Sequence, residues 1–263
     1  MTEYNGLTRL LDIMRQLRDP ATGCPWDIKQ DFHTLVAHTI EEAYEVADAI
    51  AQGDPNEIQD ELGDLLFQVV FYAQLGRERG WFGFDEIAQG VSDKLVRRHP
   101  HVFADAQVSS DEQIKAQWEA IKREERAAKA PDDSILSNIP SNLPSLLQAL
   151  KIQKRCASVG FDWDNINDVC AKVREELLEV EQELQHAQPN TDRVAEEIGD
   201  LLFAVVNLAR HLKVNPENAL RQANHKFSRR FRFIEQHIQG LGERIDDYTL
   251  AELETLWQLA KRS

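Results

Sequence analysis

The chain has 263 residues, 42% of them hydrophobic, enough for a substantial core in one large domain or two smaller ones. Lys and Arg total 30 against 45 Asp and Glu; the resulting net charge of −15 argues against a nucleic-acid polymer as partner, because binding a phosphate backbone needs clustered cations to release counterions. A small phosphorylated molecule stays compatible, since a metal ion and a few local cations can invert the field in one cleft.

Apolar residues recur at helical spacing from the start, as in Leu7, Leu10, Leu11, Met14 and Leu17, and strand-like alternation is scarce, so the expected class is all-α. "GCPWD" at 23–27 precedes an acidic helix, "EEAYEV" at 41–46, which ends where Gly53, Asp54 and Pro55 mark a stop and a new start. The next helix carries "DELGDLLFQVVFYAQ" at 60–74, followed by "KLVRR" at 94–98, "HPHVF", and "WEAIK" at 118–122. Pro131, Pro140 and Pro144 among Ser and Asn give residues 127–144 the composition of a linker.

Beyond it the same order returns, about 135 residues further on. "GFDWD" at 160–164 answers "GCPWD", "EELLEV" at 175–180 answers "EEAYEV", and "EEIGDLLFAVVNLAR" at 196–210 answers the second acidic helix. "KFSRRF" at 226–231 and "WQLAK" at 257–261 complete the match, and Pro189 with Asn190 and Thr191 repeats the break between acidic helices. The chain therefore reads as two copies of one helical domain, 1–126 and 145–263, joined by 127–144.

Within each copy the acids are paired three apart. Glu42 and Glu45 share one helix face and Glu61 and Asp64 the next; Glu176, Glu179, Glu197 and Asp200 match them in the second copy. A short turn makes the two helices antiparallel neighbours, so the pairs can point at each other across the gap. Four like charges would repel unless a cation sat between them, and all-oxygen ligation suits Mg²⁺, or Mn²⁺ in its place. Solvation alone would explain a lone acidic pair, but these pairs adjoin apolar "LLF" and "VV" runs, and the spacing is kept twice. Gly63 and Gly199, inside the helices, suggest close approach of backbone or metal.

Cations are few in this chain, and Lys226, Arg229 and Arg230 fall within one helical turn, where they could grip phosphate; Lys94, Arg97 and Arg98 are the first copy's equivalents. Only the second copy adds Lys172 and Arg174 to its first acidic helix, where the first copy has His38 and Ile40, so the second copy is favoured for chemistry on a highly charged substrate. Trp118 and Trp257 are expected as half-buried anchors, Trp26 and Trp163 as packing residues, and His38 is given no role.

Taken together, "EEAYE" with "ELGD", "EELLE" with "EIGD", and the flanking "GCPWD", "RRHPHVF" and "KFSRRF" resemble the MazG family of all-α nucleoside triphosphate pyrophosphohydrolases in its two-domain bacterial form, over nearly the whole chain. The resemblance implies tandem four-helix-bundle-like units completed by dimerisation, and Mg²⁺-dependent hydrolysis of nucleoside triphosphates to monophosphate and pyrophosphate. It implies metal ligation by Glu176, Glu179, Glu197 and Asp200, with Glu42, Glu45, Glu61 and Asp64 as N-terminal equivalents. It makes Lys172, Arg174, Lys226, Arg229, Arg230 and Trp257 candidates for the triphosphate and base. Glu175 or Glu196 could orient the attacking water, and Glu196 is also counted among the groups around the nucleotide.

Ribo- and deoxyribonucleotides over a broad base range are expected if metal and phosphate contacts dominate, with nucleotide-pool cleaning or control of a stress nucleotide as roles. The competing reading is a non-catalytic helical dimer that binds nucleotide or a protein partner. A di-iron bundle needs Glu-x-x-His twice, and the chain has it once, at Glu183 and His186. Neither phosphate-loop nor dinucleotide-binding glycine spacing occurs. No signal-peptide pattern opens the chain, no run approaches the roughly 18 apolar residues of a membrane span, and Cys24, Cys156 and Cys170 are odd in number and far apart. A cytoplasmic protein without a membrane partner is expected.

Overall fold

A computed structural model describes residues 5–104, 110–127, 134–186 and 188–262, and within these every regular element is helical. The chain divides into two compact units, with the division between Lys122 and Arg123. Of the stretch read as a linker, 128–133 lies outside the described residues, and the remainder up to Pro144 is turns and irregular backbone.

The N-terminal unit contains α1 (Asn5–Leu17), α2 (Pro25–Lys29), α3 (Val36–Gln52), α4 (Pro55–Glu78), α5 (Phe84–Arg98), α6 (Pro100–Phe103) and the start of α7 (Asp111–Ala127). Its core is Met14, Leu35, Val70, Phe71 and Leu75, so α1 and the C-terminal half of α4 are buried against each other. The α3–α4 hairpin turns on two residues. Gly53 adopts the left-handed conformation, φ 82°, that ends α3 cheaply only for glycine, and the Asp54 side chain accepts from the Asn56 amide to cap α4, with Pro55 in its first turn.

In the C-terminal unit, α8 (Ser145–Ala157), α9 (Ile166–Leu184), α10 (Thr191–His211), α11 (Pro216–Gly240) and α12 (Leu250–Ala260) repeat the order, with α9 and α10 as the equivalent hairpin. Asn190 caps α10, accepting from the amides of Asp192 and Arg193 at 2.9 and 3.4 Å. Leu150, Val169, Val180, Ala204, Val206, Ile234, Ile238 and Ala260 form the buried apolar set, which fixes the inward faces of α8 to α12.

Two expectations are corrected. Trp26 and Trp163 are not core residues: they are 52% and 43% exposed, because a five-residue helix and a loop carry them rather than the inward face of a long helix, and Trp26 meets the His38 ring edge-on at 6.1 Å. Of the two approaches expected at Gly63 and Gly199, backbone or metal, the first is not made among the described residues: a Cβ at either would meet nothing within 4 Å. Both lie on faces where apolar residues stay exposed, Leu62 and Leu66 on α4, Ile198 and Leu202 on α10. No helix among the described residues is long and apolar enough to cross a membrane, and the three cysteines are free thiols.

Candidate active site

In the C-terminal unit, α9 presents Glu176 and Glu179 from successive turns and α10 presents Glu197 from its first half; ligand oxygens of the three all lie within 4.8 Å of one another. Glu176 is only 5% exposed. Burial, then the charges of Glu176 and Glu197, push the Glu179 carboxyl above its ordinary value of 4.5, the behaviour of like charges crowded away from water. Asp200, expected as a fourth ligand, is exposed and falls outside this group of three.

Two cations lean on the cluster. Lys172 Nζ stands 2.7 Å from Glu176 and 2.9 Å from Glu175, and these hydrogen bonds hold its ammonium well above the usual lysine range. Arg193, which sequence reasoning passed over, lies 3.2 Å from Glu183, 3.5 Å from Glu197 and 4.0 Å from Glu196. Its spacing of three and four residues before two acids on one helix was the available signal. Glu183, the acid of the only di-iron spacing, is thereby committed to Arg193. Arg174, Glu175 and Glu179 line a cavity of about 340 Å³ along α9.

The remaining candidates form a second group. On α11 and α12, Phe227 packs against Trp257 at 4.9 Å between ring centroids, and the Arg230 guanidinium lies 5.8 Å from the same indole. Arg229 and Arg230 line a cavity of about 470 Å³ with Arg232, Phe233, Gln236, Ala260 and Lys261; Arg232 and Lys261 add two cations not anticipated. Lys226 is exposed one turn before Arg230. None of the clustered carboxylates lines that cavity.

The N-terminal unit repeats the cluster with Glu42, Glu45 and Glu61, again within 4.8 Å. Burial, then Asp64 and Glu45, raise the Glu42 carboxyl; burial, then Glu45 and Asp64, raise Glu61. Asp64 itself is exposed and outside the group of three. Trp118 is half-buried as expected, with Lys122 Nζ 4.9 Å above its ring.

Both clusters fit a hard divalent cation: in each, three carboxylates lie close enough to share one ion, and burial, then neighbouring acids, raise the carboxyls of Glu42 and Glu61 in one and of Glu179 in the other. The profile of the MazG nucleotide pyrophosphohydrolase domain matches residues 30–103 and again 165–233, the two segments that hold these hairpins. The chain belongs to the MazG family. A nucleoside triphosphate pyrophosphohydrolase of Escherichia coli K12 is 52% identical over 98% of both chains. A nucleoside triphosphate pyrophosphohydrolase/pyrophosphatase MazG of Thermotoga maritima is 41% identical over 96% of this chain and 94% of its own. The Bacillus subtilis protein YabN is 42% identical over 99% of this chain but only 52% of its own length. In this MazG chain the two profile matches coincide with the duplication read from the sequence.

Proposed function

We propose that this MazG-family chain hydrolyses nucleoside triphosphates to monophosphate and pyrophosphate at the C-terminal hairpin, with Mg²⁺ as the required ion. Membership of a nucleotide pyrophosphohydrolase family supports the reaction class. The observation that carries the site is the Glu176, Glu179 and Glu197 cluster flanked by Lys172 and Arg193, an arrangement in which anionic ligands for an ion and cationic partners for a phosphate chain are adjacent.

Glu176, Glu179 and Glu197 would hold the ion, with Asp200 one turn along α10 as a further ligand. When bound, it neutralises charge on phosphate oxygens and acidifies an attached water. Lys172, 2.7 Å from Glu176, would stand beside the ion with its ammonium placed to donate to a phosphate oxygen. Arg193, on the α10 side of the cluster, offers a planar fork to the same chain. Glu175, exposed beside Lys172, and Glu196, exposed beside Arg193, are the carboxylates left to orient the attacking water and take its proton.

Trp257, backed by Phe227, supplies a stacking surface that any base can use, which supports a broad base range including deoxyribonucleotides. Such breadth suits cleaning of the nucleotide pool. A homodimer completes the reading: apolar residues stay exposed beside the clusters, among them Leu62, Leu66, Leu177, Leu178, Ile198, Leu202 and Phe203, and the open glycines at 63 and 199 would let a second copy approach closely. Three free thiols fit a reducing, cytoplasmic setting.

The test is phosphate-specific product release with Mg²⁺ and a panel of triphosphates. Pyrophosphate should appear without orthophosphate, and Glu179→Gln should lower kcat by about 10²-fold or more with helical content unchanged. Full activity in Glu179→Gln, or in protein stripped of divalent ions, would overturn the proposal.

A further inference from the structure

The same turn closes α4 and α10. Gly80 and Lys213 are left-handed, φ 67° and 59°, and the amides of Trp81 and Val214 donate back to the carbonyls of Gly76 and Ala209 at 2.9 and 2.8 Å. Beyond that point the copies diverge. Val214 leads straight into Asn215, the cap of α11, whereas Trp81 is followed by an extra residue, Phe82, before Gly83 at the start of α5. Gly76 makes room for the addition: a Cβ there, such as Ala209 carries in the other copy, would fall 2.6 Å from the Phe82 ring and from its carbonyl oxygen.

The extra residue helps to wall a cavity of about 470 Å³ in the N-terminal unit, a size that suits a small organic molecule. Its lining joins Met14 and Val70 of the core to Trp81, Phe82 and the polar side chains of Gln74, Arg77 and Asp85, and none of Glu42, Glu45 and Glu61 belongs to it. Trp81 is 62% exposed yet fixed in place, with the Phe32 ring stacked on it at 5.6 Å and the Arg79 guanidinium 4.9 Å from each of the two rings. An indole held rigid but left in water offers stacking surface at little cost in side-chain entropy.

The polar groups define what would stack there. Gln74 Nε2 donates to Glu78 at 2.9 Å, which leaves its Oε1 as an acceptor. Glu86 is occupied by the Gly83 amide at 2.9 Å, while neither Asp85 nor Arg77 forms an ion pair among the described residues. Two acceptors and one guanidinium beside an aromatic wall match a flat heterocycle whose edge carries both N–H donors and ring acceptors. Asp85 and Glu86 outnumber the single cation, Arg77, which disfavours a phosphate chain. We infer that this cavity binds an uncharged nucleobase or nucleoside, its ring on Trp81, its N–H donors on Gln74 Oε1 and Asp85, and its ring acceptors on Arg77. Such a ligand needs neither metal nor phosphate contacts, so the site is separate from the hydrolytic hairpin.

The experiment is isothermal titration of full-length protein with guanosine, adenosine, cytidine and uridine in EDTA, which removes the ion from the hydrolytic site. One nucleoside per chain should bind, guanosine most tightly because its edge carries adjacent N–H donors, and GTP more weakly than guanosine. Trp81→Leu should weaken guanosine about tenfold through lost stacking, and Asp85→Asn about as much through a lost charged acceptor. Trp257→Leu should leave the affinity unchanged. Far-UV circular dichroism checks that the variants stay folded. No heat with any nucleoside, an affinity indifferent to both Trp81→Leu and Asp85→Asn, or a loss confined to Trp257→Leu would overturn the inference. So would light scattering in which Trp81→Leu separates a dimeric parent into monomers, since a second copy would then cover the cavity. Loss or survival of hydrolysis in Glu179→Gln bears on the catalytic assignment alone and leaves the nucleoside titration unaffected.

Discussion

Arg18 shows how much one side chain can hold. It is almost fully buried, with Nε donating to Glu78 Oε1 at 2.8 Å, Nη1 donating to the carbonyls of Asp27 and Gln30, and the guanidinium over the Phe71 ring. Those contacts join the end of α1 to the end of α4 and pin the segment after α2. The hydrogen bond from Arg18 holds the Glu78 carboxyl below its ordinary value of 4.5. A folded value below the unfolded one means that the stabilisation is complete above about pH 4.5 and is lost as pH falls through the depressed value. Glu78→Gln should therefore lower stability by roughly 1–3 kcal/mol at neutral pH, toward the low end because the carboxylate edge is exposed. Urea unfolding from pH 7 to pH 3 should show the gap between variant and parent closing in acid. Nothing in the sequence marked Arg18, since its partners are 9 to 60 positions away. Glu42 and Glu176 were legible because their companions lie on the same helix face.

At the scale of elements, the hairpins depend on their caps as well as on their acids. Asn190 accepts from two otherwise unpaired amides at the start of α10, seven positions before Glu197. Asn190→Ala should cost roughly 1 kcal/mol of stability by denaturant unfolding. Fraying of the first turn also loosens Arg193, whose own amide is one of the two donors, so KM for a triphosphate should rise more than kcat falls. The break at Asn190 was readable from Pro189, Asn190 and Thr191, and the N-terminal break from Gly53, Asp54 and Pro55, because caps are local chemistry. The α11–α12 cavity was not, since Arg229 and Lys261 meet only through the turn that brings α12 back onto α11.

For the whole molecule, the exposed faces matter most. Leu202 is 53% exposed and Phe203 43%, on the helix that also carries Glu197, and leaving such neighbouring side chains in water forgoes a large hydrophobic gain. Light scattering should return twice the 30.1 kDa of one chain. Leu202→Asp should shift the protein toward monomer and lower hydrolysis with it, because the apolar face flanks the carboxylates; a monomeric parent protein would remove the dimer reading.

The sequence by itself determined the helical class, the duplication, the two acidic hairpins and the face on which each acid stands, since these follow from spacing within single helices and from caps a few residues long. Only the tertiary structure decided that Glu197 joins Glu176 and Glu179 while Asp200 stays outside, that Arg193 stands against the cluster, and that Gln68 is buried against Glu42. The reason is geometric. Periodicity sets directions around one helix axis, but the rotation of one helix against the next is fixed by side chains packed across the whole unit, and that rotation chooses which charges meet.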